Sequence, residues 1–116
     1  MKKKAIEIFN EFIRERDKGL PCISCGEFKE LQAGHYYSVG QNNSLRFLEG
    51  NVNGQCLRCN YFLRGNLIPY RKNLIKKFGE ERVQLLDLAA GMGKQTGHHK
   101  LDRTTLIEII MKYRRN

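Results

Sequence analysis

Apolar positions recur at helical spacing through the first eighteen residues. Ala5, Ile6, Ile8, Phe9, Phe12 and Ile13 are interleaved with Lys, Glu and Asn, which predicts an amphipathic helix over residues 2–18. Gly19 stops it, and Pro21 keeps it from resuming. Its basic end, Arg14, Arg16 and Lys18, reads as solvated surface. Residues 31–37 then predict the first strand of a hairpin, and the polar run 39–44 a turn. The short apolar stretch 45–48 is the expected second strand or extended segment, followed by a turn at Glu49-Gly50-Asn51. A short helix is expected from Leu57 to about Leu63, ended by Gly65-Asn66.

Helical periodicity then returns. Leu67, Ile68, Leu74, Ile75 and Phe78 give a helix over 67–78 its apolar side, and Arg71, Lys72, Lys76 and Lys77 its basic side. Pro69 suits its first turn and Gly79 ends it. Val83, Leu85, Leu86 and Leu88 predict a helix over 80–90, with Glu80 and Glu81 favourable at its N-terminus. Three glycines between Gly91 and Gly97 predict a mobile loop. Adjacent His98 and His99 cannot share one helix face and read as surface. A last helix through Lys112, capped by Thr104 or Thr105, would turn Leu106, Ile107, Ile109 and Ile110 inward.

The 116 residues suit a single domain of class α+β. It would comprise the N-terminal helix (2–18), a core (20–66) and C-terminal helices (67–116). A chain this short buries a modest core. The start Met1-Lys2-Lys3-Lys4 looks like a signal peptide, but Glu7, Asn10 and Glu11 break the apolar run. No segment approaches membrane-spanning length, so a soluble, intracellular protein is expected. A net charge of +9, from 21 Lys and Arg against 12 Asp and Glu, makes a polyanion a natural partner. Charge alone fits a generally soluble basic surface equally well.

The cysteines change that picture. All four fall in two pairs, Cys22-x-x-Cys25 and Cys56-x-x-Cys59. Paired Cys-x-x-Cys turns suit one tetrahedral Zn²⁺ held by four thiolates, and zinc would supplement the small core. Two disulfides or a redox pair are the other readings. A redox motif needs a single pair near a βαβ unit, and no such unit is predicted. Thirty residues separate Cys25 from Cys56, more than the roughly 15–20 of a plain zinc ribbon. The insertion holds His35 and Asn51, and Asn60 follows the last cysteine.

The ordered set Cys-x-x-Cys, Gly34-His35, Asn51, Cys-x-x-Cys-Asn60 resembles the zinc-bearing HNH, or ββα-metal, nucleases (His-Me finger). The wider run narrows the resemblance: Leu20-Pro-Cys-Ile-Ser-Cys-Gly, Ala33-Gly-His-Tyr, Leu45-Arg-Phe, Gln55-Cys, Gly65-Asn-Leu and Tyr70-Arg. Over residues 9–83 it is similar to the NinG (Rap) recombination endonucleases of lambdoid phages and prophages. The resemblance implies a ββα-metal core flanked by helices, in the cytoplasm of a bacterial host. It also implies cleavage of branched DNA such as Holliday junctions and D-loops. A resolvase that cuts two strands symmetrically would act as a homodimer.

Hydrolysing a phosphodiester requires a deprotonated water and charge neutralisation at the leaving oxygen. His35 would be the general base, and Asn51 would tie the hairpin loop and orient it. Asn60 matches the position that ligates a catalytic Mg²⁺ or Mn²⁺. Family members usually carry an Asp or His ligand just before the base, where this chain has Gly34. Glu49 is the expected substitute, ahead of Gln32 and Asn53. Arg58 and Arg64, then Arg46, Arg71 and Lys72, are the expected phosphate contacts. Two rival readings remain: a zinc-dependent nucleic-acid-binding module without catalysis, and a zinc-stabilised protein adaptor.

Overall fold

In the computed structural model, residues 1–40, 45–95 and 102–114 are described. The element order is α1 (Lys2–Arg16), β1 (Leu31–His35), a 3-10 turn (Glu49–Asn51), β2 (Val52–Cys56), a π-helical turn (Arg58–Phe62), α2 (Leu67–Phe78), α3 (Glu80–Gln95) and α4 (Arg103–Tyr113). This is a small α+β arrangement around a two-stranded antiparallel sheet.

The sheet register runs from Leu31 opposite Cys56 to His35 opposite Val52. Side chains of paired residues share a face and alternate along the strand. Leu31, Ala33, His35, Val52 and Cys56 therefore occupy one face; Gln32, Asn53 and Gln55 occupy the other. Against the first face pack α1 and α4, through a cluster of Phe9, Ile13, Val52 and Tyr113. Phe9 meets Tyr113 and Phe47 edge-on, with ring centroids 5.0 and 5.5 Å apart. The pair α2 and α3 forms a second cluster, Tyr70, Leu74, Val83, Leu86 and Ala90, with Ile23 and Leu45. Tyr70 links that cluster to the polar sheet face.

Several elements differ from the sequence expectation. The second strand is Val52–Cys56, not 45–48. Residues 45–48 form a turn closed by Leu48 N–H donating to the Leu45 carbonyl at 3.3 Å. All five β2 residues are buried, and the polar Asn53 and Gln55 concealed the strand. The helix after the cysteines is one π-helical turn. Its exit runs through Arg64, Gly65 and Asn66, all at positive φ. Helix α3 continues through Gly91 to Gln95, because a regular ladder tolerates isolated glycines at about 1 kcal/mol each. The rest of the expected loop, with His98 and His99, lies outside the described residues. Asp102, not Thr104 or Thr105, caps α4: its carboxylate accepts from Thr105 N–H at 2.8 Å. Ile107 is exposed rather than inward.

Candidate functional site

The two cysteine pairs meet at the open end of the hairpin. Cys22 and Cys25 lie on a turn closed by Gly26 N–H donating to the Cys22 carbonyl at 2.9 Å, and Gly26 takes φ +76°. Cys56 ends β2 and Cys59 lies in the π-helical turn. The four Sγ atoms all fall within 4.8 Å of one another, and all four thiols are free. A tetrahedron with metal–sulfur arms of about 2.3 Å has edges of about 3.8 Å. The Cys25–Cys56 sulfur separation is 3.8 Å, and the other separations stay within 4.8 Å, so the donor set suits Zn²⁺.

Peptide and amide N–H groups already point at the sulfurs. Cys56 N–H donates to Cys22 Sγ at 3.3 Å, and Asn66 Nδ2 donates to Cys59 Sγ at 3.5 Å. Burial opposes ionisation of Cys22, but N–H donors from Cys56, Cys25 and Ser24 outweigh it and bring its pKa to about 7. Burial and the neighbouring cysteines push Cys25 up to about 12. Four crowded thiols cannot all ionise unaided, and a bound dication reconciles them.

At the other end of β1, His35 Nε2 lies 3.0 Å from the Arg46 carbonyl oxygen. A carbonyl only accepts, so Nε2 carries the hydrogen and Nδ1 holds the lone pair of the neutral ring. Burial lowers the pKa of His35 below its ordinary 6.5, against the pull of that carbonyl. The ring is therefore neutral near pH 7, with one nitrogen anchored and the other basic. Asn51 is fully buried. Its Oδ1 accepts from Tyr37 N–H at 2.8 Å, and its Nδ2 donates to the carbonyls of Tyr37 and Leu45 at 3.1 and 3.3 Å. This amide closes the loop between β1 and the stretch that anchors His35.

The remaining expected site residues are dispersed. Asn60 Nδ2 donates to Gln32 Oε1 at 2.8 Å, on the sheet face opposite to that of His35. The Glu49 carboxylate accepts from the Tyr113 hydroxyl of α4 at 2.7 Å. Among the described residues, the four cysteines are the one cluster of three or more His, Cys, Asp or Glu placed to share an ion. Arg58, Arg64 and Lys72 are exposed. Arg71 instead forks onto Asp87 of α3 at 2.8 and 3.0 Å, and Tyr37 donates to the same carboxylate. Arg46 is half-buried, and its carbonyl is what holds His35.

Gly34 is not a positive-φ glycine. A Cβ there would stand 2.1 Å from Gln55 Oε1 and 2.7 Å from Gln55 Cβ. Gln55 is fixed from behind, its Nε2 donating to the Gly65 carbonyl at 2.6 Å and to Ser24 Oγ at 2.8 Å. Tyr70, also fully buried, donates to the Gly34 carbonyl at 2.6 Å and accepts from Asn53 Nδ2 at 3.4 Å. Asp17 accepts from Gly54 N–H at 2.7 Å, and Arg16 donates to the Val52 carbonyl at 2.7 Å, so this ion pair braces β2. The sequence reading missed Gln55, Tyr70 and Asp17. Alternating polar residues at 53 and 55 were the signal available for the first.

The chain matches, over residues 1–116, the family model described as Bacteriophage Lambda NinG protein. The protein ninG of Escherichia phage lambda is 47% identical over 87 residues, which cover 73% of this chain and 43% of the relative. That of Salmonella phage P22 is 49% identical with the same coverage. The chain belongs to the NinG family. The matched stretch spans less than half the length of these relatives. No solved structure matches the chain. The family match joins the thiol cluster, the anchored histidine and the Asn51 clamp to a phage protein. No helix among the described residues is long and apolar enough to cross a membrane.

Proposed function

We propose that the chain is an HNH-type DNA endonuclease of phage recombination. It would hydrolyse phosphodiester bonds in branched DNA such as Holliday junctions and D-loops in the host cytoplasm. The observation that carries this reading is His35: a neutral, half-enclosed imidazole whose Nε2 is locked on the Arg46 carbonyl, leaving Nδ1 as a base. His35 Nδ1 takes a proton from a water, whose oxygen then bonds to phosphorus as one phosphorus–oxygen ester bond breaks. The leaving sugar oxygen keeps the bonding pair and takes a proton from solvent water to become the hydroxyl end. Asn51 keeps the loop closed so that the ring does not swing. The thiol cluster, holding Zn²⁺, fixes the far end of the same hairpin. Arg58, Arg64 and Lys72 meet phosphates.

Mg²⁺ or Mn²⁺ belongs to this reading, because a hard cation stabilises a leaving oxygen. Asn60 and Glu49 are the groups on offer, and they bond to separate elements, Gln32 of β1 and Tyr113 of α4. That dispersion favours one rival, a zinc-dependent nucleic-acid-binding module that does not cut.

Cleavage of a four-way junction over a range of Mg²⁺ and Mn²⁺ concentrations separates the two. His35→Ala should slow cleavage by about 10² to 10⁴ while zinc content and junction binding stay unchanged. Glu49→Gln should raise the metal concentration for half-maximal rate if Glu49 reaches the ion. A wild type that binds junctions but never cuts them would leave the binding module standing.

A further inference from the structure

The π-helical turn and the start of α2 present an apolar surface to solvent. Tyr61 is 71% exposed, Phe62 68% and Ile68 87%, beside exposed Leu57, Leu63 and Leu67. The Tyr61 and Phe62 rings stand edge-to-face, centroids 5.1 Å apart. Two planar rings at right angles offer stacking faces in two directions. This turn follows Cys56 and contains Cys59 of the thiol cluster, so its backbone is pinned there. Cys59 is fully buried while its neighbours two and three residues on are exposed.

Charge selects the occupant. From Asn51 to Gly79 the chain has six Lys and Arg and no Asp or Glu. Exposed Arg58 and Arg64 bracket the two rings. An apolar ridge bracketed by two exposed arginines matches a ligand with flat apolar faces and a negatively charged backbone. Bases of a paired duplex are stacked on each other and offer no face. Bases of a single strand, or those unpaired at a branch point, do.

We infer that Tyr61 and Phe62 form a stacking platform for unpaired DNA bases, with Arg58 and Arg64 on the flanking phosphates. The inference deepens the proposed function and rests on its DNA-binding part, not on cleavage. It would let a small nuclease distinguish a branch from a linear duplex without reading sequence.

The test is binding without divalent metal, at one fixed salt concentration, to a short oligothymidylate and to a duplex of equal length. Tyr61→Ala/Phe62→Ala should weaken oligothymidylate binding roughly 5- to 150-fold per lost stacked base, and change duplex binding by no more than about twofold, since phosphate contacts are intact. Arg58→Ala/Arg64→Ala should weaken both and flatten the salt dependence of both. Tyr61→Trp should bind as the wild type does. The chain has no other Trp, so quenching of its emission by oligothymidylate reports stacking directly. Equal losses on both ligands, or no loss on either, would overturn the inference. So would Trp emission that oligothymidylate leaves unmoved, or oligouridylate bound more tightly than oligothymidylate. Self-association abolished by the double substitution, with single-strand binding intact, would assign the patch to a second copy instead. Because no cleavage is measured, an inactive wild type sinks the nuclease reading and leaves this one to be judged separately.

Discussion

The two faces of the hairpin are built on opposite principles. The face under α1 and α4 is apolar: Phe9, Ile13, Val52 and Tyr113 exclude water and interlock by shape. The face under α2 is a layer of buried amides and a phenol: Gln55, Asn53 and Tyr70, tied to Ser24, Gly65 and Gly34. Apolar packing gains from the area removed from water and tolerates small displacements. A buried polar layer gains little net energy, yet leaving one of its members unpaired is costly. One face therefore supplies stability, and the other dictates where the strands sit relative to α2. The candidate base sits at the end of the apolar face, and its backbone neighbour Gly34 is held from the polar one.

Removing the pin shared by both faces should have the largest effect. The thiol cluster joins β2, the first turn and the π-helical turn, so stripping the metal should unfold much of the chain. The check is circular dichroism and zinc analysis during titration with a strong chelator. Native protein that contains no zinc, or that keeps its melting profile when stripped, would defeat the expectation.

Substitutions on the two faces should then differ in kind. Phe9→Ala removes a fully buried ring and should cost about 3–5 kcal/mol. Tyr70→Phe keeps the volume and removes one hydroxyl, leaving the Gly34 carbonyl and the Asn53 amide short of partners, at about 1–3 kcal/mol. Urea titration measures both. Tyr70→Phe should also slow junction cleavage, if present, more than its stability loss explains, whereas a mild apolar change such as Ile13→Val should not. If Tyr70→Phe is neutral in both assays, the polar layer does not set strand position.

The smallest effect is on pH dependence. His35 has a folded pKa below the 6.5 of the unfolded chain. As pH falls through 6.5, the unfolded state takes up a proton that the folded state resists, so stability declines until the folded pKa is passed. Asp17 works in a lower window. Burial opposes its charge, but Arg16 and the Gly54 N–H outweigh it and hold its pKa below 3.8. Its contribution is thus present above 3.8 and lost at lower pH. His35→Gln should flatten the decline just below pH 6.5 and leave the acid limb untouched.

The apolar face was legible in the chain because helical spacing of Ala5, Phe9 and Ile13 announces which side is buried. The thiol cluster was legible because metal geometry constrains local spacing as well as the fold. The polar face was not. Asn53 and Gln55 carry no strand propensity, and their burial depends on partners 10 to 31 residues away. The same holds for Arg71, which looks like a surface cation until Asp87, sixteen residues on, claims it. His35 could be picked out by its place between the cysteine pairs, but not its tautomer, which the Arg46 carbonyl decides.

The close approach of Gln55 to Gly34 also constrains how this chain can drift. The two positions share one volume: the carboxamide occupies the space that a side chain at 34 would need. An acid at 34 would have to arrive together with a smaller residue at 55, and that loss would release the bonds to Ser24 and Gly65. Either single step is blocked, the first by overlap and the second by stranded polar groups. Gly34→Asp and Gln55→Ala should therefore each be tolerated better in the other's presence than alone. Mutational routes that place a carboxylate beside the histidine pass through a valley two substitutions wide.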